Sequence, residues 1–185
     1  DNPGEYSASL RQRTGPLARR LDAVSVRESS GIKMVKTLWG RDDAEHHVDP
    51  TMLLTGADYG QIIDSHPPDL DGPTPGGLVS YILDASPQNS SVANALALEL
   101  GLTMHPLMRP DPPSRTAYRA NPQRYTKTSV ESWLWAIRKA AFVVTDSFHG
   151  CVFSVLFQKP FAVLPNGDRG RARFDSLLST FGLES

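Results

Sequence analysis

Cysteine is nearly absent from this 185-residue chain: Cys151 stands alone. An intrachain disulfide and a cysteine-based zinc site are both excluded. A reducing, cytoplasmic setting is the expectation. No run approaches the ~20 apolar residues that cross a bilayer, so no transmembrane segment is expected. Neither sign of charge is in excess, since 19 Lys and Arg face 20 Asp and Glu for a formal net charge of −1. A nucleic-acid groove needs a basic surplus to pair with phosphates, so nucleic acid is not an expected partner. Internal repeats are lacking, and the residues after Asp1 lack the apolar core of a signal peptide. Opening on Asp1 and stopping at Ser185, straight after a helix-and-glycine pattern, the sequence is expected to be a piece of a longer protein. What is present is 39% hydrophobic residues. Over this length they can build one ordinary core, or one domain and part of another.

The polar, basic opening carries Arg11, Arg13, Arg19 and Arg20, and a short helix is expected after Pro16 through Leu17 and Leu21. Residues 22–28 read as a short buried strand, 29–31 as a turn, and 32–38 as a helix. Residues 63–77 hold Pro67, Pro68, Gly72, Pro73, Pro75, Gly76 and Gly77. Proline fixes φ and removes a donor, so a linker and domain boundary are expected there. Strand and helix then alternate: strand 77–84, helix 90–100 capped by Ser90 or Ser91, strand 102–107 and an Arg- and Pro-rich loop 108–127. Next come a helix opened by the Thr128-to-Glu131 capping box, strand 141–145, helix 148–158, strand 160–164 and helix 172–181. The alternation predicts an α/β fold, a Rossmann-like parallel sheet with flanking helices.

Ligands in such sheets bind at the carboxyl ends of the strands. The segment Val143-Val144-Thr145-Asp146-Ser147-Phe148-His149-Gly150 ends a strand and opens a helix. A helix start offers N–H groups and a positive dipole end to an anion, and histidine can donate, accept or carry a proton near neutrality. The alternative is that Asp146 or Ser147 simply caps the helix and His149 packs locally. Val24-Ser25-Val26-Arg27-Glu28 has the same layout, and the Arg27 fork suits a carboxylate or phosphate; a surface Arg27–Glu28 pair is the competing reading. Asp42, Asp43, Glu45, His46, His47 and Asp49 have the composition of a metal cluster but no recognised ligand spacing, so a solvated loop is expected and no metal. The run Asn166-Gly167-Asp168-Arg169-Gly170-Arg171 is an anion-binding loop or a flexible connection.

At these motifs the chain resembles the polysaccharide pyruvyl transferases. Glu5 to Leu10 loosely matches the family's first strand and turn. Ser25-Val26-Arg27-Glu28 matches its Ser-x-Arg-Glu tip, and Val48-Asp49-Pro50-Thr51-Met52-Leu53-Leu54 its Asp-Pro-Thr element. Thr145 to Gly150, Lys159-Pro160-Phe161, and Arg169 to Leu178 match the later segments. The resemblance implies a two-domain GT-B-like fold with the active site in the cleft between halves. Residues 1–62 would then close an N-terminal Rossmann-like domain and 78–185 form the C-terminal one. It implies transfer of the enolpyruvyl group of phosphoenolpyruvate to a sugar of a polysaccharide or lipid-linked repeat, in exopolysaccharide or cell-envelope biosynthesis. The product would be a pyruvate ketal, made with no cofactor beyond that donor, in the cytoplasm or at the inner membrane face, by a monomer or homo-oligomer. Arg27 and His149 would be the catalytic pair, with Ser25, Glu28, Asp146, Ser147, Gly150 and Arg169 binding substrate. Some members carry Arg where this chain has Ser147, and Arg169, Arg171 or Arg173 would supply the missing charge. A GT-B glycosyltransferase using a nucleotide sugar and a non-catalytic sugar-binding relative are the alternatives.

Overall fold

Ser7, not Pro16, starts the first helix. In the computed structural model, which describes residues 7–65, 76–84, 86–164 and 171–184, α1 spans Ala8–Ala18, and the Ser7 side chain accepts from Leu10 N at 3.3 Å. Pro16 lies inside this helix. The chain divides into two compact units, residues 1–53 with 166–185, and residues 54–165.

In the first unit, β1 (Ser25–Val26) pairs in parallel with β2 (Glu45–His46), Ser25 opposite Glu45. The expected seven-residue buried strand is therefore two residues long, with Ser25 exposed. Ser29-Ser30-Gly31 is not a turn but the opening of α2 (Ser29–Trp39). Gly31 serves close approach: a Cβ there would sit 2.9 Å from Val26 Cβ. Gly40, at φ 68°, ends the helix in the left-handed region that glycine tolerates. Trp39 Nε1 donates to Thr14 Oγ1 at 3.0 Å, joining α2 to α1. A 3₁₀ turn covers Pro50–Leu53.

The last helix of the chain, Ala172–Thr180, belongs to this unit. It buries Phe174 and Leu177, and leaves Phe181 exposed just past its end, before Gly182 at φ 63°. Its Ser176 hydroxyl accepts from Ser29 N at 3.2 Å and lies 3.1 Å from His46 Nε2.

The second unit opens with α3 (Gly56–Ser65). The expected linker 63–77 thus begins inside a helix, and its residues 66–75 lie outside the described residues. Four parallel strands follow: β3 (Leu78–Tyr81), β4 (Met104–Pro106), β5 (Phe142–Thr145) and β6 (Phe161–Val163), in the order β4-β3-β5-β6. Val79 stands opposite both His105 and Val143. Pro106, which lacks a donor, falls on the edge strand, where the ladder tolerates it.

Helices cover both faces. After β3 comes α4 (Pro87–Glu99), capped by Ser86 with Pro87 in the first turn rather than by Ser90 or Ser91. Its buried residues are Ala93 and Ala97, set against Leu78 and Val144; Val92 and Leu100 of the expected apolar face are exposed. Small side chains let α4 lie close on the sheet. Two short helices, α5 (Arg115–Ala120) and α6 (Pro122–Tyr125), occupy the stretch expected to be loop. Ser129, not Thr128, caps α7 (Val130–Lys139); the Thr128 hydroxyl donates to Leu107 O instead. On the opposite face from α4, Leu134 and Ile137 of α7, Ile63 of α3 and Phe153 of α8 (Phe148–Leu156) pack with Val79 and Val143. The unit is a doubly wound Rossmann-like α/β sheet. The final helix of the chain is α9 (Ala172–Thr180).

Candidate active site

The order β4-β3-β5-β6 has one reversal. The chain leaves β3 for β4 on one side, then returns to place β5 on the other. Because α4 and α8 pack on opposite faces, the carboxyl ends of β3 and β5 flank a topological switch point, where open α/β sheets bind ligands. The Thr145–Gly150 segment lies there.

Each residue of that segment is accounted for. The Thr145 hydroxyl donates to Tyr81 O at 2.7 Å and accepts from Ser147 N at 3.0 Å. Fully buried Asp146 reaches across to the loop after β3, accepting from Leu83 N at 2.6 Å and Asp84 N at 2.8 Å. Ser147 is the N-cap residue of α8 by position, but its side chain makes no capping bond. The Ser147 side chain therefore does not cap α8, and Asp146 turns its carboxylate to the loop after β3. Phe148 is buried, with its ring edge-on to that of His149 at 5.6 Å. Gly150 presses on Thr145 so closely that any Cβ would collide with the Thr145 side chain. His149 alone among the six is exposed.

At the tip of β1, Arg27 Nη1 donates to Asp49 Oδ2 at 2.6 Å. The Asp49 side chain is 5% exposed and that of Arg27 21%. Asp49 Oδ1 also accepts from Thr51 N at 3.0 Å. Burial pushes the Asp49 carboxyl up, but the hydrogen bonds from Arg27 and Thr51 and the nearby guanidinium charge outweigh it and hold the carboxyl below its ordinary range. The partner of Arg27 is thus Asp49 and not Glu28. Glu28 is buried at the N-cap position of α2 without a capping bond, and Ser25 is exposed on β1.

Comparison with protein families matches residues 2–168 to the family described as Polysaccharide pyruvyl transferase. This chain belongs to that family. Comparison with curated proteins found no match. Both Arg27 and Asp49 lie within the matched residues, and their bond joins segments 25–28 and 48–54. Asp49 was missed as a partner of Arg27, because 22 residues of sequence separate them and only the pairing of β1 with β2 brings the two segments together. The sequence signal for it was the Asp-Pro-Thr turn itself, where an aspartate caps the following N–H.

The other candidates in this transferase sort as follows. Among the described residues no cluster of three or more metal-binding side chains forms. Arg41 instead pairs with Asp43, and His47 Nε2 lies 2.9 Å from Glu45 Oε2. Arg169 and the rest of 165–170 lie outside the described residues. Arg171 is exposed beside Asp175, and the Arg173 guanidinium lies 5.4 Å from the centre of the Phe174 ring. No helix among the described residues is long and apolar enough to cross a membrane.

Proposed function

We propose that the chain transfers the enolpyruvyl unit of phosphoenolpyruvate to two neighbouring hydroxyls of a saccharide, on a polysaccharide or lipid-linked repeat, forming a pyruvate ketal. A proton adds to the methylene carbon, which becomes a methyl group, and the adjacent carbon takes on oxocarbenium character. One sugar hydroxyl adds to that carbon, phosphate departs, and the second hydroxyl adds. The two hydroxyls release two protons; the methyl group accounts for one and the departing phosphate for the other. Phosphoenolpyruvate enters as a substrate, and no separate cofactor takes part. The inner membrane face suits a lipid-linked acceptor.

The donor brings a carboxylate and a phosphate, so it calls for fixed positive charge and a proton-handling group. In this reading the Arg27 guanidinium, oriented by its Nη1 bond to Asp49, binds one of the donor's anionic groups. His149, at the start of α8, binds the other and handles the proton. A positioned acid or base of this kind contributes about 10²–10⁴-fold. The observation that carries the reading is the exposure of His149 in the first turn of α8, just past the carboxyl end of β5 beside the switch point.

The test is incubation of the full chain with phosphoenolpyruvate and a panel of saccharides bearing neighbouring hydroxyls. Release of inorganic phosphate together with a ketal-bearing sugar is expected. Thermal shift separates the donors, because a ligand at 100 times its Kd adds about 2.7 kcal/mol. Stabilisation by nucleotide sugars and not by phosphoenolpyruvate would overturn the reading in favour of a glycosyltransferase.

A further inference from the structure

We propose that Asp84, on the loop after β3, recognises the acceptor sugar, with Asp146 as its positioning residue; the inference rests on the transferase reading above. Two loops border the switch point, the one after β5 and the one after β3. The first leads into α8 and His149, assigned to the donor. The second is held through its backbone. Asp146, fully buried, spends both carboxylate oxygens on Leu83 N and Asp84 N. Asp84 O in turn accepts from Ser86 N at 2.8 Å and from Asn89 Nδ2 at 3.0 Å.

The backbone of Asp84 is thus bound on both its N–H and its carbonyl, while the residue itself is exposed. No ion pair engages it among the described residues. The other polar side chain described between Ile82 and Ser86 is Ser86 itself, whose hydroxyl caps α4 by accepting from Asn89 N at 3.1 Å. Among the described side chains of this loop, that leaves the Asp84 carboxylate as the polar group to offer a ligand.

Its charge decides which ligand. A carboxylate repels a donor that carries a carboxylate and a phosphate. An ionised carboxylate accepts hydrogen bonds and donates none. Two adjacent sugar hydroxyls supply two donors, one for each of its oxygens. An exposed, backbone-locked carboxylate beside a switch point therefore fits a neutral polyol and not an anion.

Saturation-transfer NMR on the full chain, with methyl β-D-galactopyranoside and methyl β-D-glucopyranoside as probes, tests this. Thermal shift with phosphoenolpyruvate runs alongside it. Asp84→Asn should weaken sugar binding at least tenfold and leave the phosphoenolpyruvate shift unchanged, with Asp84→Glu restoring part of the sugar signal. Asp146→Asn should move sugar binding the same way, because an amide has one accepting oxygen for two N–H groups. His149→Ala should keep the sugar signal and lose the phosphoenolpyruvate shift. Equal sugar signals in wild type and Asp84→Asn, or none in wild type, would overturn the proposal. Joint loss of sugar and phosphoenolpyruvate binding in Asp84→Asn would also overturn it. If phosphoenolpyruvate fails to stabilise the wild type while sugar binding still depends on Asp84, the sugar site stands and the donor assignment alone falls.

Discussion

Arg27 and Asp49 join two segments of the first unit, residues 25–28 and 48–54, through a 2.6 Å hydrogen bond between Nη1 and Oδ2. A guanidinium carries five donors in a rigid fork. The Nη1 bond to Asp49 helps orient that fork. Asp49 is itself fixed by Thr51 N, so the orientation is inherited from the Pro50–Leu53 turn.

Arg27→Lys keeps the charge and loses the fork. It should raise the KM for phosphoenolpyruvate at least tenfold, measured by initial rates of phosphate release. Asp49→Asn should do the same to a lesser degree, since the amide keeps the shape but not the charge. An unchanged donor KM in both variants would leave the pair a purely structural one.

Acid should dissolve this pair. The Asp49 carboxyl is held below its ordinary range, so in the acid range the group binds fewer protons in the folded chain than in the unfolded one. That contribution to stability is complete above the unfolded carboxyl value of about 3.9 and is lost as pH falls through the lower folded value. Asp43 is lowered likewise by its hydrogen bond from Arg41, and Asp58 by bonds from Thr55. Urea midpoints of wild type and Asp49→Asn should differ at pH 7, and the gap should narrow as pH falls below about 3.9. A constant gap across that range would contradict the assignment.

His149→Ala should separate function from folding. The residue is exposed, and exposed substitutions away from special features change stability by about 0.5 kcal/mol or less. Turnover should nonetheless fall about 10²–10⁴-fold. Wild-type phosphate release by a folded His149→Ala chain would remove the imidazole from the reaction.

Gly150→Ala should show the reverse. Its Cβ would collide with the Thr145 side chain, and overpacking of this kind costs about 1–3 kcal/mol. Because Thr145 also bonds to Tyr81 O and Ser147 N, the strain would pass to the turn holding His149. A lowered Tm by calorimetry and a loss of turnover are both expected, whereas Gly182→Ala, at φ 63° with open space around it, should lower Tm without touching turnover.

Periodicity and stop signals in the sequence settled the second unit's alternation of strands and helices, and its sheet class. The runs at Leu78–Tyr81 and Phe142–Thr145 are mostly apolar, with β-branched Val79, Val143, Val144 and Thr145, as suits buried parallel strands. Gly40, Gly101 and Gly182, all at positive φ, end their helices where an L side chain would be strained. The polar tips that carry Arg27 and His149 were visible for the same reason: an apolar run stops and charge begins. What the tertiary structure decided was who answers whom. Residue-by-residue pattern cannot show that Asp146 turns away from its own helix to bind Leu83 and Asp84, 63 and 62 residues earlier. Nor can it show that Gly31 serves contact with Val26 rather than a turn, or that Ala93 and Ala97, not Val92 and Leu100, meet the sheet. Local propensity acts within a few residues. Pairing across a sheet and the closeness of a helix to it depend on which surfaces the whole chain buries together.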